Sequence, residues 1–398
     1  MMNLCSQASS TRSPLDNQVD GPAAEDVPVP SVVHFDQFPS NHLTQIISEP
    51  QATTSDQAIY KQLAPDILKS LTTTIDQAFS EVITSTMICA EIVAILANHG
   101  CTDLTASIDE SNCSKYPVAN GGLGDVFSGR LRDGSSVAIK VIRVYYDQSQ
   151  SARVYHKRAA REIYAWSKCE HPNVVKLKGL AVFHDCLAMI SPWEENGNLL
   201  YYLSKHPNAD RCHLSTSICA GLVYLHDNNI VHGDLKGANV LISGDGTPML
   251  MDFGNASLKD ATLQFTHTTT APNLSVRWAP PEILNGTSTY TTAGDVYALG
   301  MVSPVLSDHI PLLIYQEALT SQVPFADKKD ISLPLLITSH KLLPMRPEET
   351  IPKGSTHGDT LWAILTSCWS YDPQDRPSAR VVWEDMKPIK AETLKATL

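Results

Sequence analysis

Residues 232–239 read His-Gly-Asp-Leu-Lys-Gly-Ala-Asn, and a second motif, Asp-Phe-Gly, begins at Asp252. The first motif contributes the carboxylate of Asp234, the ammonium of Lys236 and the amide of Asn239. A carboxylate can take a proton from an attacking hydroxyl, and carboxylate and amide oxygens are ligands that Mg²⁺ accepts. Asp-Phe-Gly alone is weak evidence, but the two motifs, 13 positions apart from Asn239 to Asp252, are specific as a pair.

A glycine-rich stretch lies upstream and reads Ala-Asn-Gly-Gly-Leu-Gly-Asp-Val from Ala119 to Val126. It fits the pattern G-x-G-x-x-G-x-V, with Ala119 at the first glycine position. Gly121, Gly122 and Gly124 would let the backbone approach phosphate groups closely, because glycine has no Cβ. Taken alone, the stretch is equally typical of an ordinary hairpin turn.

A strand and a helix are predicted between this loop and the central motif. The strand reads Val-Ala-Ile-Lys and ends at Lys140, and the helix carries Glu162 and stops before Pro172. Lys140 and Glu162 are expected to form an ion pair. The alternative for Glu162 is a solvent-exposed charge on a helix.

Residues from about 115 to 385 resemble a eukaryotic protein kinase domain. They are similar to the tyrosine-kinase-like group, in a form common among mushroom-forming (agaric) fungi. The cues for the group include Arg-Trp-Ala-Pro-Pro-Glu at 277–282 and Asp-Arg-Pro from Asp375. The resemblance implies an α+β, bilobal fold, with an antiparallel β-sheet N-lobe at 113–190 and a mainly helical C-lobe at 195–390.

The resemblance implies a role for each residue of the two motifs. Asp234 would accept the proton of the attacking hydroxyl, and Lys236 would neutralise charge on the transferring phosphoryl group. Asn239 and Asp252 would hold the Mg²⁺ ions that bridge the phosphates of ATP. The motif Asp-Leu-Lys-x-x-Asn resembles the version found in serine/threonine kinases, whereas tyrosine-specific members usually carry Ala or Arg in place of Lys236.

The resemblance also implies how ATP would be held and which ion pairs would support the site. Lys140, paired with Glu162, would bind the α- and β-phosphates. Ser191 aligns with the gatekeeper, and the hinge that would meet adenine is Pro192, Trp193 and Glu194. The apolar residues expected around the adenine ring, or simply in the core, are Val126, Ala138 and Leu241. Glu282 is expected to pair with Arg376, and Asp295 to brace the catalytic loop.

Charge and cysteine usage limit the possible partners and compartments. Residues 1–112 hold 3 basic and 14 acidic side chains, a net charge of −11, and the remaining 286 residues hold 27 and 28, a net charge of −1. The acidic leader argues against nucleic acid or an anionic membrane as its partner. Nine cysteines without C-x-x-C pairs indicate reduced thiols in an intracellular, cytoplasmic protein, with a nuclear location not excluded.

Three regions are predicted along the chain. Residues 1–55 are interpreted as a disordered acidic leader, 56–112 as a helical extension and 113–390 as the kinase domain. Apolar residues recur at three- and four-residue steps from Leu63 to Met87, and Asn-His-Gly from Asn98 is expected to end the helical run. The extension is interpreted as a helix packed on the kinase, with binding of a protein partner or dimerisation as the alternative.

The sequence departs from the kinase pattern in two places. Gly233 replaces the arginine that pairs with a phosphorylated activation loop in many kinases, which suggests activity without that phosphorylation. Fifteen residues, 302–316, interrupt the predicted central helix of the C-lobe and contain Pro304 and Pro311. Proline inside a helix costs about 3 kcal/mol or more, so we interpret the segment as a retained intron in the gene model, or else as a surface loop.

Two functions from different classes follow from this pattern. The first is a protein kinase that uses ATP and Mg²⁺ to phosphorylate serine or threonine, in preference to tyrosine, in protein substrates. The second is a pseudokinase that binds nucleotide weakly and serves as a signalling scaffold. Ala119 and the segment 302–316 favour the scaffold, whereas the intact set of charged residues favours the enzyme.

Overall fold

The structure is a computed structural model in which the residues described here all lie within one compact unit, Ser70–Leu398. The described residues are 82–84, 87–120, 124–142, 159–160, 162–252, 257–258, 264–265, 274–302, 323–348 and 351–394. The predicted leader 1–55, Gly121, Gly122 and all of 302–316 except Val302 lie outside these ranges. So does most of the predicted helical run from Leu63 to Met87. Within that run Val82 and Ile83 form a short strand, so the prediction of a helix there is wrong; their backbone pairs with Gln264 and Phe265.

The described β-strands are short and mostly antiparallel. In chain order they are β1 Val82–Ile83, β2 Ile108–Asp109, β3 Ala119–Asn120, β4 Gly124–Leu131, β5 Ser136–Ile142, β6 Gly179–Phe183, β7 Cys186–Pro192, β8 Ile230–Val231, β9 Val240–Ile242, β10 Pro248–Leu250, β11 Ser257–Leu258 and β12 Gln264–Phe265.

The described α-helices lie mainly in the second half of the chain. They are α1 Cys89–Asn98, α2 formed by helical residues 159–160 and 162–167, α3 Leu199–Lys205, α4 Arg211–Asp227, α5 Pro281–Leu284, α6 Thr292–Val302, α7 Leu333–Thr338, α8 Thr356–Cys368, α9 Ala379–Met386 and α10 Ala391–Leu394. No helix in the described ranges is long and apolar enough to span a membrane.

The N-lobe is one antiparallel sheet with strand order β2-β4-β5-β7-β6, and β3 also pairs with β4. Side chains alternate between its two faces, as they must in a strand. In β5, Val137, Ile139 and Val141 join an apolar core with residues of β4, β6 and β7. Ala138 and Lys140 therefore face the other way, toward the cleft between the lobes. The predicted α+β bilobal fold is confirmed, and this register positions Lys140.

The N-lobe sheet begins before residue 113, the boundary expected from the sequence. The Leu180 N–H donates to the Thr102 carbonyl at 2.8 Å, and the Leu104 N–H donates to the Leu180 carbonyl at 2.7 Å. Ile108 then pairs with Leu131 at the opposite edge. Residues 102–109 therefore bond to both β6 and β4, so the sheet curls around the apolar core that Ile108 helps to fill.

The C-lobe is built mainly from helices around α6. Nine consecutive residues of this helix, Gly294–Val302, are buried, as predicted for the central helix of the lobe. Helix α4 starts at Arg211, where the Asp210 side chain accepts a hydrogen bond from the His213 N–H at 3.0 Å. This N-cap satisfies one of the free backbone donors at the start of the helix. The packed helices support the loop 232–239 at the front of the lobe.

Candidate active site

Lys140 lies between two carboxylates at the junction of the lobes. Its Nζ is 2.7 Å from Glu162 Oε1 on α2 and 2.9 Å from Asp252 Oδ1. Burial alone would lower the pKa of Lys140, but Asp252 and Glu162 together raise it above its ordinary value. Burial likewise opposes the charge on Asp252, yet the attraction of Lys140 holds the pKa of Asp252 at about 2. Lys140 and Asp252 are therefore both charged at neutral pH, and the expected contact of Lys140 with Glu162 is present.

Asp252 has an uncommon backbone conformation. Its φ of 68° lies in the left-handed region, which residues other than glycine seldom occupy. Such conformations cost roughly 1–3 kcal/mol and persist where the surrounding contacts hold them. Here the ion pair with Lys140 is such a contact, and it keeps the Asp252 carboxylate at the cleft.

The buried carboxylate of Asp295 accepts hydrogen bonds from the backbone of the loop 232–239. Asp295 Oδ2 accepts the His232 N–H at 2.8 Å, and Asp295 Oδ1 accepts the Gly233 N–H at 2.8 Å. The ring Nε2 of His226 also lies 2.9 Å from Asp295 Oδ2. Asp295 thus fixes the backbone just before Asp234, in the bracing position expected for it. Gly233 has φ 76°, a conformation that glycine adopts at little cost.

Asp234 is surrounded by three polar side chains that orient its carboxylate. Lys236 Nζ lies 2.7 Å from Asp234 Oδ2, and Asn239 Nδ2 donates to the same oxygen at 3.0 Å. Ser275 Oγ donates to Asp234 Oδ1 at 2.6 Å and is itself 2.9 Å from Lys236 Nζ. The Asp234 side chain remains 15% exposed, which leaves it open to solvent at the cleft.

Ser275 was not predicted as a site residue. It follows the described strands and precedes α5, 41 residues after Asp234 in the chain. A shallow cavity adjoins Asp234 and Ser275, and Leu274, Trp278 and Tyr290 form part of its wall. The only available signal in the sequence was a hydroxyl residue just before Arg277 and Trp278, and a single serine is too common to carry that inference.

The residues expected around adenine lie on β4, β5, β7 and β9 and in the hinge that follows β7. Ser191 pairs with Ala138 across β7 and β5, and Val126 pairs with Lys140 across β4 and β5. The Trp193 N–H donates to the Ser136 carbonyl at 3.2 Å, whereas the Pro192 carbonyl is 3.4 Å from Ser191 Oγ. Leu241 lies in β9, beneath the hinge, where it forms a bridge with Asn198. Burial and the charge of Asp245 raise the pKa of Glu194.

The described part of the glycine-rich stretch forms a hairpin. Ala119 pairs with Val126 and Asn120 with Asp125, which brings β3 alongside the start of β4. A Cβ on Gly124 would lie 2.4 Å from the Val141 carbonyl oxygen, so only glycine fits here. The residues at the tip, Gly121 and Gly122, lie outside the described ranges.

A buried ion pair ties the segment after the site to the end of the lobe. Arg376 donates to Glu282 through both terminal nitrogens, at 2.7 and 2.8 Å. Arg376 also donates to the Ser370 carbonyl at 2.9 Å and to the Ala293 carbonyl at 3.1 Å. The pairing expected for Glu282 and Arg376 is thus present, and neither residue contacts Asp234.

Comparison with known proteins gives a consistent family. The protein kinase domain model matches residues 115–386. Serine/threonine-protein kinase STY46 of Arabidopsis thaliana is 27% identical over 70% of this chain and 44% of its own length. The plant's calmodulin-binding receptor-like cytoplasmic kinase 1 is 33% identical over 48% of this chain and 41% of its own length.

Tyrosine kinases are among the relatives as well. The tyrosine-protein kinase transforming protein Fps of Fujinami sarcoma virus is 27% identical over 69% of this chain and 29% of its own length. The chain spans less than half the length of each of these three relatives. With 272 of its 398 residues matched by the family model, the chain belongs to the protein kinase domain family.

Proposed function

We propose that this protein transfers the γ-phosphoryl group of ATP to serine or threonine hydroxyls of protein substrates. The observation that carries the proposal is the Asp234 carboxylate, held by Lys236, Asn239 and Ser275 and still open to the cleft. Lys236 supports the serine/threonine preference, because tyrosine-specific members of the family usually lack it. The relatives include kinases of both specificities.

In this proposal Asp234 is the base. Its Oδ2 contacts Lys236 and its Oδ1 contacts Ser275. These two contacts fix the plane of the carboxylate before a substrate arrives. An approaching hydroxyl would give its proton to Asp234 as the oxygen attacks. Lys236 carries the positive charge that stabilises the negative charge of the transition state. The residues contribute chiefly position and charge, as expected for a loose transition state.

The residues at the cleft fit Mg²⁺ and a triphosphate. Asp252 is ionised and Asn239 offers an amide oxygen, whereas no group of three or more His, Cys, Asp or Glu in the described ranges could hold a metal ion by itself. Mg²⁺ usually combines one or two carboxylates with substrate phosphates. When bound, Mg²⁺ would neutralise phosphate charge, Asn239 and Asp252 would hold it, and Lys140 would bind phosphate oxygens.

The hinge supports a place for adenine. The Trp193 N–H is engaged by Ser136 within the protein, so the Pro192 carbonyl and the Glu194 backbone are the groups we assign to the base. Ala138, Val126 and Leu241 would cover the two faces of the ring, and glycine at positions 121, 122 and 124 would cover the phosphates together with Ala119.

We also propose how the protein is regulated, where it is located and to which kinase group it belongs. Gly233 removes the arginine that would pair with a phosphorylated loop, so we expect activity without that modification. The cysteines in the described ranges are all free thiols, which supports an intracellular, cytoplasmic location. Membership of the tyrosine-kinase-like group in its fungal form, and a protein partner for the N-terminal extension, also remain predictions.

The test compares the full chain with Asp234→Asn, using Mg·ATP and a generic protein substrate. Asp385→Asn, an exposed site on α9, is the matched control. We expect kcat to fall by roughly 10²–10⁴-fold in Asp234→Asn only, with nucleotide affinity retained and phosphate found on serine or threonine. Phosphotyrosine would overturn the specificity. A folded wild-type chain that binds nucleotide without transfer would support the scaffold instead.

A further inference from the structure

Helix α1 precedes the part of the chain that the kinase family model matches, which starts at residue 115. Its apolar face, Cys89, Ile92, Val93 and Leu96, is buried in the same core as the α2 residues Ala160, Ile163 and Tyr164. Ile92 and Leu96 have no exposed surface at all. This helix is therefore packed within the N-lobe, beside the helix that carries Glu162.

The residues just after α1 contact the second half of α2 and Lys168, which follows it. The Lys168 ammonium donates to the His99 carbonyl at 3.2 Å, which satisfies a free carbonyl at the end of α1. The rings of His99 and Tyr164 meet edge to face, 6.0 Å apart. Burial raises the pKa of the Cys101 thiol, and the neighbouring Ser167 side chain partly opposes that rise. Tyr164 and Ser167 follow Glu162 on α2 by two and five residues, and Lys168 comes directly after the helix.

The chain after α1 is fixed to the sheet on its other side. The Thr102 carbonyl accepts the Leu180 N–H, and Thr105 Oγ1 accepts the Val182 N–H at 3.0 Å. This close approach depends on Gly179, because a Cβ there would lie 2.3 Å from the Thr102 oxygen. Helix α1 thus lies between the sheet, which it contacts at β6 and β7, and α2.

We propose that α1 is a positioning element for Glu162. Its docking holds α2 where the Glu162 carboxylate meets Lys140 at 2.7 Å. Ile92, Leu96 and His99 act through α2 and never touch the substrate, so they are positioning residues. The proposal rests on the proposed kinase function, since Lys140 matters there as the group that binds phosphate.

The first test uses Ile92→Glu in the full chain, with Ala94→Glu as the matched control. Both place the same charge on α1, but residue 92 is buried and residue 94 is exposed. We expect Ile92→Glu to raise the KM for ATP and lower kcat by about tenfold or more, because small displacements at an active site are costly. The KM for protein substrate should be unchanged, and the conservative variant Ile92→Leu should have the wild-type kcat and the wild-type KM for ATP.

Hydrogen exchange provides a readout that does not depend on phosphoryl transfer. Amides of residues 159–168 should exchange faster in Ile92→Glu than in Ala94→Glu, and amides of α6 should not. Equal exchange in α2 for the two variants would overturn the proposal. If the wild-type chain transfers no phosphate, the proposed function fails, while faster exchange would still support α1 as the support for α2.

A second pair of variants approaches α1 from the strand and decides the question if Ile92→Glu does not fold. Gly179→Ala should displace Thr102 and with it α1, whereas a Cβ on Gly244 meets nothing within 4 Å. We expect the change in the KM for ATP and the faster α2 exchange in Gly179→Ala only. If Gly179→Ala and Gly244→Ala show the same kinetics and the same hydrogen exchange, the positioning role is contradicted.

Discussion

The most revealing single residue at the site is Ser275, whose hydroxyl contacts both Asp234 and Lys236. Hydrogen bonds to charged groups contribute about 1.5–3 kcal/mol, and about 1.4 kcal/mol is a factor of ten in rate. We expect Ser275→Ala to lower kcat by about tenfold or more without changing ATP affinity. Ser275→Thr, which keeps the hydroxyl, should retain most activity. Steady-state kinetics with Ser204→Ala, a serine on α3, as control would check this, and an unchanged kcat would refute it.

Three of the predicted site residues lie within one short motif, and the structure brings them together. Asp234, Lys236 and Asn239 are at most five positions apart, so the local backbone already brings them together. Ser275 comes to Asp234 only through the path of the chain after Asp252. Lys140 and Asp252 are farther apart, at 112 positions, but each lies in a motif of its own, whereas Ser275 lies in none of the motifs used for the prediction and was missed.

The charge on Asp252 leads to a prediction about pH. Its pKa of about 2 lies below the ordinary value, so its contribution to stability is complete above about pH 4 and is lost as pH falls toward 2. The free energy of unfolding should therefore differ by roughly 2 kcal/mol between wild type and Asp252→Asn at pH 6. Urea denaturation should show this difference shrinking below pH 4. A difference that is constant from pH 3 to 7 would contradict the ion pair with Lys140.

At the scale of an element, the close contact of α6 with Cys368, the last residue of α8, and with Trp369 limits the size of the side chain at position 300. A Cβ on Gly300 would lie 2.6 Å from Trp369 Nε1 and 2.9 Å from Cys368 Cβ. We expect Gly300→Ala to destabilise the protein by about 1–3 kcal/mol through overpacking. Gly294→Ala, in the same helix with its nearest atom at 3.5 Å, should be neutral or slightly stabilising. Thermal unfolding of both variants measures the difference, and equal melting temperatures would reject the explanation.

Elements with a strong pattern were predicted, and elements defined by their neighbours were not. The apolar alternation around Lys140 identified β5, and Asn98 ends α1 as expected because His99 and Gly100 follow it. Residues 102–109 have no alternating pattern, since they bond to two different strands over a few residues each. Their place in the sheet follows from the curl of the N-lobe, which the local sequence does not encode.

At the scale of the whole molecule, Arg376 joins its own segment, through Ser370, to Glu282 and Ala293, which lie more than 80 residues earlier in the chain. Removing one partner of a buried pair typically costs about 3–5 kcal/mol, because the other charge remains buried without compensation. We expect Arg376→Met to lower the free energy of unfolding by that amount. Arg380→Met, which breaks an exposed pair with Asp227, should cost less than about 1 kcal/mol.

The Glu282→Leu and Arg376→Met double variant completes the test of this pair. Because it leaves no lone charge, its loss of stability should be smaller than the sum of the two single losses. Urea denaturation of the four proteins gives the coupling energy directly. Additive losses would mean that the two residues stabilise the molecule independently, despite their 2.7 Å contact.

The curled sheet has a practical consequence for expressing this protein. A protein that begins at residue 115, where the family match begins, would lose Leu104 and Ile108 from one apolar core and Ile92 and Leu96 from the other. It would also uncover the edges of β6 and β4. Bare strand edges beside exposed apolar surface are templates for aggregation, so light scattering should detect insoluble protein in the trimmed form, and adding residues 87–114 should restore solubility.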